Sequence, residues 1–158
     1  MKQEKKFYLT KEGLEEKKSE YEILKKIRAE KTSQDAPAIL ESDDLNPEYV
    51  SFQEDLSRIN SEIIELENIF KNVVIINELK KYFKDDGIIK VGSKVLIEID
   101  GQEQDEFTIV GTLEAKPSLG IISNESPVGK ALLGHRVGDS IFVSSPIKTT
   151  YKIKRIIS

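Results

Sequence analysis

YVSFQEDLSRINSEIIELENIFKNV, residues 49–73, is the stretch that decides the fold of the N-terminal half. Its apolar side chains recur at alternating steps of three and four residues, at Tyr49, Phe52, Leu56, Ile59, Ile63, Leu66, Phe70 and Val73. That spacing is a heptad seam, which is typical of a helix packed along another helix. Just upstream, Asn46 suits an N-cap, and Pro47 suits the first helical position because its missing N–H costs nothing there. The pattern predicts a helix over residues 47–72.

A partner helix is expected upstream, and the short turn near residues 42–46 would make it antiparallel. Thr10 is a reasonable N-cap for it, although Gly13 makes a poor capping box. An apolar stripe follows, at Leu14, Tyr21, Leu24 and Ile27. The stripe is lost over residues 28–37, where Pro37 predicts a kink or an interruption. Roughly 30 residues at 1.5 Å each make a rod about 45 Å long. We therefore predict an antiparallel coiled-coil hairpin over residues 1–75, with its tip near 41–48.

The second half has the period-two alternation of β-strands. Six segments carry it: VVII (73–76), KVLIEI (94–99), FTIVGTL (107–113), GIIS (120–123), SIFVSS (140–145) and YKIKRII (151–157). Turn signals separate several of them, at Asp86-Gly87, Asp100-Gly101 and Gly138-Asp139. One helix is predicted over residues 126–134, with Ser126 as N-cap, Pro127 at the first position and Gly134 as the stop. Residues 76–158 are therefore expected to form a mainly antiparallel sheet with one short helix, which makes the chain α+β.

Composition narrows the class of protein. Of 158 residues 33% are charged and 38% hydrophobic, and no window approaches 18 uncharged apolar residues, so no membrane span is expected. Cysteine is absent, which excludes disulfides and thiolate zinc sites. The basic N-terminus lacks the apolar region of a secretory signal, and we expect a cytoplasmic protein.

The net charge of −4 is mild, but its distribution is uneven. Residues 1–31 hold ten Lys or Arg against seven Glu, whereas residues 32–67 hold ten acids against the single base Arg58.

Motifs for self-contained catalysis are missing. The single histidine, His135, lies in a Gly134–Gly138 turn, where a surface role is expected. The sequence has no second His and no Cys to complete a zinc site, and it has neither glycine-rich nucleotide-binding motif. Ser123 and Ser126 have no histidine partner to activate them. The sequence therefore does not predict an independent enzyme.

The acidic stretch ESDDLNPEY, residues 41–49, is the strongest chemical feature. It places Glu41, Asp43, Asp44 and Glu48 at the predicted tip of the hairpin. One interpretation is an ordinary solvated loop. The other is a site for a hard cation, because Mg²⁺ takes oxygen ligands and often uses only one or two protein carboxylates. Carried into another protein's active site, such a turn could complete a metal position and orient a water.

A resemblance to a known family favours the second interpretation. ISNESPVGKALLGHRVGD (122–139) closely resembles the signature of the bacterial GreA/GreB transcript cleavage factors, and KEGLEE (11–16) and ELENIFKNVVII (65–76) are similar to that family too. The resemblance implies that the C-terminal half has an FKBP-like fold and docks at the rim of the secondary channel of RNA polymerase. The coiled coil would pass down the channel, and its tip acids would help hold the second Mg²⁺. The polymerase would then cleave its own backtracked transcript.

The tip departs from the family pattern, which typically reads Asp-Leu-x-Glu-Asn-Ala-Glu-Tyr. Here Asp44-Leu45-Asn46-Pro47-Glu48-Tyr49 is two residues shorter. Asp44 matches the first functional acid, Glu48 matches the later glutamate, and the glutamate two positions after the leucine has no counterpart. Asp43 could supply the missing charge. The resemblance thus implies that Asp43, Asp44 and Glu48 assist catalysis, and that Asp43 and Asp44 share the polymerase Mg²⁺, with no cofactor bound by the chain alone.

The resemblance also implies two contact surfaces. Basic residues on the first helix, namely Lys25, Lys26 and Arg28, would contact the RNA 3′ end, although ordinary helix surface is the alternative. A docking surface would be formed by Asn124, Glu125, Ser126, Pro127 and Lys130, of which all but Pro127 are expected to be exposed. Val128, Leu132 and Leu133 are expected to face the sheet.

Three functions remain open at this point. The first is a monomeric cleavage-promoting factor that contacts the polymerase channel, its rim and the nascent RNA. The second is a channel-binding regulator that does not cleave. The third is an FKBP-like prolyl isomerase or chaperone, for which the available aromatics are Phe107, Phe142, Tyr151, Tyr82 and Phe83.

Overall fold

The computed structural model describes residues 5–34, 36–37, 46–76, 86–144 and 146–157. Its elements, in chain order, are β1 (Phe7–Leu9), α1 (Lys11–Ser33), α2 (Pro47–Lys71), β2 (Val73–Ile75), β3 (Lys94–Ile99), β4 (Glu103–Val110), β5 (Ile121–Ser123), α3 (Pro127–Leu132), β6 (Ser140–Val143) and β7 (Thr149–Ile157). Two 3-10 turns, Thr112–Glu114 and Pro117–Leu119, lie between β4 and β5. The predicted α+β class is confirmed.

The chain forms two compact units. The helical unit comprises Leu14–Asn72, and the sheet unit comprises Met1–Gly13 together with Val73–Ser158. The division of the sequence at residues 75 and 76 stays a prediction.

Helix α2 forms as its sequence predicts. The side chain of Asn46 accepts a hydrogen bond from the Glu48 N–H at 3.0 Å, and Pro47 occupies the first turn. The buried positions of α2 are Ile59, Ile63, Leu66 and Ile69. Three of these lie on the predicted seam. At the C-terminal end of α2 the buried residue is Ile69, whereas Phe70, which was predicted to lie on the seam, is half-buried. The Phe70 ring still meets the Tyr21 ring edge to face, with the two centroids 5.6 Å apart.

Helices α1 and α2 are antiparallel. Tyr21 meets Phe70, Arg28 bonds to Asn60, and Lys31 bonds to Asp55. Because residue numbers rise along α1 as those of their partners fall along α2, the two chains must run in opposite directions. Helix α1 ends at Ser33, ahead of the non-helical Pro37, as predicted. Residues 41–45 of the predicted tip, which was placed near 41–48, lie outside the described residues.

Cations occupy half of the seam of α1. The inward positions follow the three–four spacing and are all half-buried: Leu14, Lys17, Tyr21, Leu24, Arg28 and Lys31. Lys31 Nζ lies 2.7 Å from Asp55 Oδ2 and 6.0 Å from the centroid of the Phe52 ring. The hydrogen bond from Lys31 lowers the pKa of Asp55. Long Lys and Arg stems cover apolar surface while their charged heads reach solvent or a partner.

One member of the predicted apolar stripe is therefore misplaced. Ile27 is 38% exposed, because it lies off the three–four line and Arg28 takes the inward position.

A small two-stranded sheet joins β1, which the sequence did not predict, to β2, which lies within the predicted strand 73–76. The two strands are parallel, with Phe7 opposite Val73 and Leu9 opposite Ile75. Leu9 is fully buried. Gly111 lies so close to this segment that a Cβ at position 111 would overlap the carbonyl oxygen of Tyr8.

The first turn of α1 is capped from a distant part of the sequence. Thr10 Oγ1 accepts a hydrogen bond from the Gly13 N–H at 3.0 Å, which confirms the predicted N-cap. The reciprocal carboxylate of a capping box comes from Glu114 rather than from position 13. Its two oxygens accept hydrogen bonds from Thr10 N–H at 2.8 Å and Thr10 Oγ1 at 2.6 Å. A Cβ at position 13 would overlap Glu114 Oε1, so a larger residue there would displace this carboxylate from Thr10.

We predict that Glu114→Ala loosens the first turn of α1. The Thr10 N–H would lose its partner, and a lost cap costs about 1 kcal/mol, with an upper value near 2. Amide hydrogen exchange at Thr10 and Gly13 should accelerate roughly fivefold to thirtyfold. Glu103→Ala, at an exposed position on β4, is the matched control. Equal exchange rates in the two variants would contradict the capping role of Glu114.

The larger sheet has five strands in the order β5-β4-β3-β7-β6. The β4–β5 pair is parallel and the other pairs are antiparallel, so the sheet is mainly antiparallel as predicted. Its core is formed by Ile89, Val95, Ile97, Ile109, Ile122, Leu132, Ile141, Val143 and Ile153. The predicted strand 107–113 is wrong at both ends, since β4 spans Glu103–Val110. The ladder stops at Gly111, where the backbone turns against Tyr8 and a 3-10 turn begins.

Helix α3 covers one face of this sheet. Ser126 Oγ caps it by accepting from the Gly129 N–H at 3.0 Å, and Pro127 takes the first position. Leu132 is fully buried, and Val128 and Leu133 pack against the core, as predicted. Gly134 follows the helix with φ of 84°, a conformation that favours glycine at a helix end.

Candidate functional site

Only one of the predicted tip acids lies among the described residues. Glu48 is exposed in the first turn of α2, where a negative side chain is favoured near the N-terminal end of the helix dipole. Glu41, Asp43 and Asp44 lie outside the described residues. Within the described ranges no three His, Asp or Glu side chains cluster in a way that could hold a metal ion. The metal and catalytic roles of Asp43, Asp44 and Glu48 stay predictions.

The three residues predicted to contact RNA do not share one face of α1. Lys26 is exposed, and it lies about 200° around the helix from Arg28, since two residues turn an α-helix by roughly that angle. Arg28 lies on the seam, where its guanidinium donates to Asn60 Oδ1 at 3.4 Å. Lys25 Nζ lies 3.5 Å from Glu22 Oε1 and 5.1 Å from the centroid of the Tyr21 ring. Lys25 and Arg28 can therefore act together, with Lys26 separate from them.

The predicted docking residues surround the start of α3. Glu125, Pro127 and Lys130 are exposed. Asn124 and Ser126, which were expected to be exposed, are half-buried instead because the loop uses them internally. The Asn124 N–H donates to the Val110 carbonyl at 2.8 Å, and Ser126 Oγ donates to the Ser123 carbonyl at 2.7 Å. Their structural roles are thus visible, while the docking role of the whole set stays a prediction.

Glu125 belongs to a closed ring of hydrogen bonds. Its backbone N–H donates to Ser123 Oγ at 3.0 Å, the hydroxyls of Ser123 and Thr112 are 2.8 Å apart, and Thr112 Oγ1 donates to Glu125 Oε2 at 2.6 Å. A hydroxyl has one proton, and Thr112 gives its proton to a carboxylate that cannot donate in return. Ser123 must therefore donate to Thr112, so each hydroxyl donates once and accepts once.

Positive charge also surrounds the Glu125 carboxylate. Lys5 Nζ lies 3.6 Å from Oε2, and Lys130 is close enough to act electrostatically. The hydrogen bond from Thr112, followed by the charge of Lys5, lowers the pKa of Glu125 below its ordinary value. The side chain therefore remains a carboxylate even in mildly acidic solution.

His135 lies in the predicted turn and bonds locally. Its Nδ1 is 3.3 Å from Asp139 Oδ2, and the same oxygen accepts from the Arg136 N–H at 2.8 Å. This backbone hydrogen bond is the first cause of the lowered pKa of Asp139. The arrangement matches an ordinary surface turn.

The aromatic side chains considered for an isomerase site are not gathered together where they are described. The rings of Phe107 and Tyr151 are arranged edge to face, with their centroids 6.4 Å apart, and both side chains pack against the sheet core. Phe142 is 66% exposed and follows the core residue Ile141 on β6, so it lies on the opposite face. Tyr82 and Phe83 lie outside the described residues.

Sequence reasoning missed Thr112, Ser123 and Lys5 as partners of Glu125. Only Ser123 carries a local signal, because Ser side chains commonly accept from the backbone N–H two residues on. Thr112 is 13 residues from Glu125, and no spacing rule connects a 3-10 turn to the loop that follows the next strand.

The fold is thus that of an α+β protein with an antiparallel helix pair and a mainly antiparallel sheet. Two protein-family models match the amino-acid sequence of the chain. "Transcription elongation factor, N-terminal" matches residues 7–75, and "Transcription elongation factor, GreA/GreB, C-term" matches residues 84–158. Among the described helices none is long and apolar enough to cross a membrane.

Individual relatives agree with these family models. Transcription elongation factor GreA of Thermomicrobium roseum is 43% identical over 140 residues, which span 87% of this chain and 88% of the relative. Transcription elongation factor GreA of Clostridium acetobutylicum is 39% identical over 149 residues, or 92% of each chain. GreA factor homolog 1 of Thermus thermophilus, known from a crystal structure, is 30% identical in sequence. The superposition covers 98% of this chain and 100% of that chain, with a TM-score of 0.42.

The chain belongs to the GreA/GreB family of transcription elongation factors. This conclusion rests on the two family models and on the identities to the GreA relatives, not on the structural superposition.

Proposed function

We propose that this protein binds RNA polymerase through its secondary channel and promotes cleavage of backtracked transcripts, so that arrested complexes resume elongation. The observation that carries the proposal is the match of both halves of the chain, residues 7–75 and 84–158, to the two parts of the family. In this proposal the factor acts as a cytoplasmic monomer, and the catalytic centre belongs to the polymerase.

The helix pair would act as the probe that enters the channel. Helices α1 and α2 have 23 and 25 residues, which corresponds to lengths of about 35 and 38 Å. Asp43 and Asp44 lie three and two residues before Asn46, the cap of α2, in the sequence. The charged seam supports a long helix pair with little core, because Lys31 pairs with Asp55 and Arg28 with Asn60.

Asp43 and Asp44 would share the second Mg²⁺ of the polymerase, with Glu48 close by on the first turn of α2. Carboxylate oxygens are the ligands that Mg²⁺ prefers, and the ion commonly retains several waters. When bound, such an ion supplies an activated water and a counter-charge for the phosphodiester. The role of the acids is to hold and orient. Lys25 and Arg28 would contact the phosphates of the RNA 3′ end, with Lys26 on a separate face, and such contacts weaken with salt.

The sheet unit would dock at the rim of the channel through the loop that begins α3. Glu125, Pro127 and Lys130 are the exposed members of that surface, and Asn124 and Ser126 hold its backbone. The surface thus offers one fixed carboxylate between lysines.

Transcript length in arrested complexes tests the proposal. We predict that wild-type protein with Mg²⁺ shortens the RNA from its 3′ end, and that Asp44→Asn lowers the cleavage rate by at least about tenfold, the order expected when one positioned group is lost. Asp43→Asn and Glu48→Gln should show smaller losses if those acids assist. Glu54→Gln, at an exposed position on α2, is the matched control. Full activity of Asp44→Asn would remove that residue from the mechanism.

A regulator that binds the channel without cleaving is the second candidate. One observation favours it: the shortened tip, Asp44-Leu45-Asn46-Pro47-Glu48-Tyr49, has no counterpart of the second functional glutamate of the family pattern. Polymerase binding with unchanged transcript length would select this function. A prolyl isomerase has weaker support, because Phe107, Tyr151 and the exposed Phe142 are not gathered at one site. Isomerisation of a prolyl peptide well above background would revive it.

A further inference from the structure

We infer that Thr112 is a positioning residue for polymerase docking, and that it acts by fixing the Glu125 carboxylate through the ring completed by Ser123. The inference rests on the proposed function, since it concerns the docking surface at the start of α3. The inference assigns a role to Thr112 and Ser123, which lie outside that surface.

The ring restrains Glu125 at both ends of its side chain. The main chain is held where its N–H donates to Ser123 Oγ at 3.0 Å, and the carboxylate is held where Oε2 accepts from Thr112 at 2.6 Å. Between them, the 2.8 Å contact of Thr112 and Ser123 closes the circuit. Hydrogen bonds that run in one direction round a circuit polarise one another, so removal of one hydroxyl weakens the others.

Only one carboxylate oxygen is used by the ring. Thr112 and Lys5 both contact Oε2. Within the described ranges, Oε1 has no hydrogen bond or ion pair. The side chain of Glu125 is 45% exposed, so Oε1 can accept a donor from the partner. A free glutamate side chain would have to be ordered during binding, whereas here the ordering is already done, which favours affinity.

The ring is also anchored to rigid backbone. Thr112 begins the 3-10 turn directly after Gly111, which is buried and packs against the Tyr8 carbonyl. Ser123 ends β5, and its carbonyl accepts from both Ser126 N–H and Ser126 Oγ. Because each anchor belongs to the sheet unit, the position of Glu125 is set by the fold of that unit.

The test measures affinity for RNA polymerase together with the titration of Glu125. We expect Thr112→Val, which keeps the shape and removes the hydroxyl, to raise the Kd about fivefold to tenfold, as expected when one long side chain must be ordered on binding. Thr112→Ser should restore affinity to within about twofold of wild type. Thr149→Val removes a hydroxyl whose partner among the described residues is the Ile147 carbonyl, so it serves as the matched control and should leave the Kd unchanged.

Carboxyl NMR supplies a measurement that a general structural role would not move. Loss of the Thr112 hydroxyl should raise the pKa of Glu125, because that hydrogen bond is the main cause of its lowered value. The pH at which docking fails on acidification should rise with it, since docking needs the carboxylate. Thr112→Ser should return both values. Ser123→Ala opens the ring at a second point and is the alternative variant if Thr112→Val does not fold.

The outcomes separate the inference from the function beneath it. If Glu125→Gln leaves polymerase affinity unchanged, the proposed docking surface is wrong. If Glu125→Gln weakens binding while folded Thr112→Val and Ser123→Ala do not, docking stands and the positioning inference is overturned. If Thr112→Val weakens binding in wild type but adds nothing to Glu125→Gln, the two residues act through each other and the inference is supported.

Discussion

Gly129→Ala should destabilise the sheet unit by about 1–3 kcal/mol, the usual cost of overpacking. Helix propensity alone predicts a gain of about 1 kcal/mol, because Ala is the better residue in a helix interior. Packing reverses the sign, since a Cβ at Gly129 would overlap the Ser123 carbonyl oxygen. That oxygen is backbone and cannot swing aside. It also accepts from Ser126 N–H at 3.0 Å and Ser126 Oγ at 2.7 Å, so any shift disturbs the cap of α3.

Denaturant unfolding followed at amides of the sheet core, such as that of Ile153, measures this change. Lys130→Ala is the matched control, since it adds helix propensity at an exposed neighbouring position without a clash. We expect Lys130→Ala to be near neutral and Gly129→Ala to lose stability. A Gly129→Ala protein as stable as wild type would show that the approach of α3 to β5 is looser than described.

Ile63→Ala should cost the helical unit about 2–5 kcal/mol, as core truncations of this kind do. Ile63 is 3% exposed and lies on the α2 seam. The unit has few buried apolar residues, and several of the opposing positions on α1 are charged. Loss of one isoleucine therefore removes a large share of its apolar burial.

The neighbouring residue provides the control for this variant. Ile64 is 64% exposed, so Ile64→Ala removes the same atoms from a site that packs little and should change stability by less than about 0.5 kcal/mol. Hydrogen exchange at α2 amides should accelerate strongly in Ile63→Ala and hardly in Ile64→Ala. Similar exchange in both would contradict the assignment of the seam.

Much of the fold could be predicted because local and tertiary signals agree. In α2 the three–four spacing, the Asn46 cap and Pro47 all indicate the same helix, and the predicted end differs from the observed Lys71 by one residue. Strand β3 was predicted with its observed bounds, Lys94–Ile99, and its buried residues Val95 and Ile97 alternate with half-buried neighbours. The short helix at Pro127 followed from its cap and its glycine stop.

The errors have physical causes as well. Apolar periodicity cannot reveal a seam whose inward positions are lysine and arginine, which explains the misplacement of Ile27. Strand β1 has only three residues and its partner begins at Val73, far along the chain, so no turn signal announces it. Strand β4 was drawn past its end because the close approach of Gly111 to Tyr8 is a tertiary contact.

The candidate site also has features that the sequence predicts and features that only the folded chain shows. The loop around Glu125 was identified through family resemblance, and its cap at Ser126 through local sequence. Thr112 could not be found, because its contact with Glu125 depends on how a 3-10 turn packs beside β5. Cap chemistry predicted Thr10, whereas the contribution of Glu114, 104 residues away, required the folded chain.

The central proposal is that acids near the start of α2 supply metal ligands to the polymerase. The Mg²⁺ dependence of transcript cleavage tests it most directly. In backtracked complexes saturated with factor, wild-type protein should lower the half-saturating Mg²⁺ concentration for cleavage. Asp44→Asn, bound to the same extent, should leave that concentration at the value for polymerase alone. The proposal is contradicted if wild-type and Asp44→Asn proteins give the same rate and the same Mg²⁺ dependence.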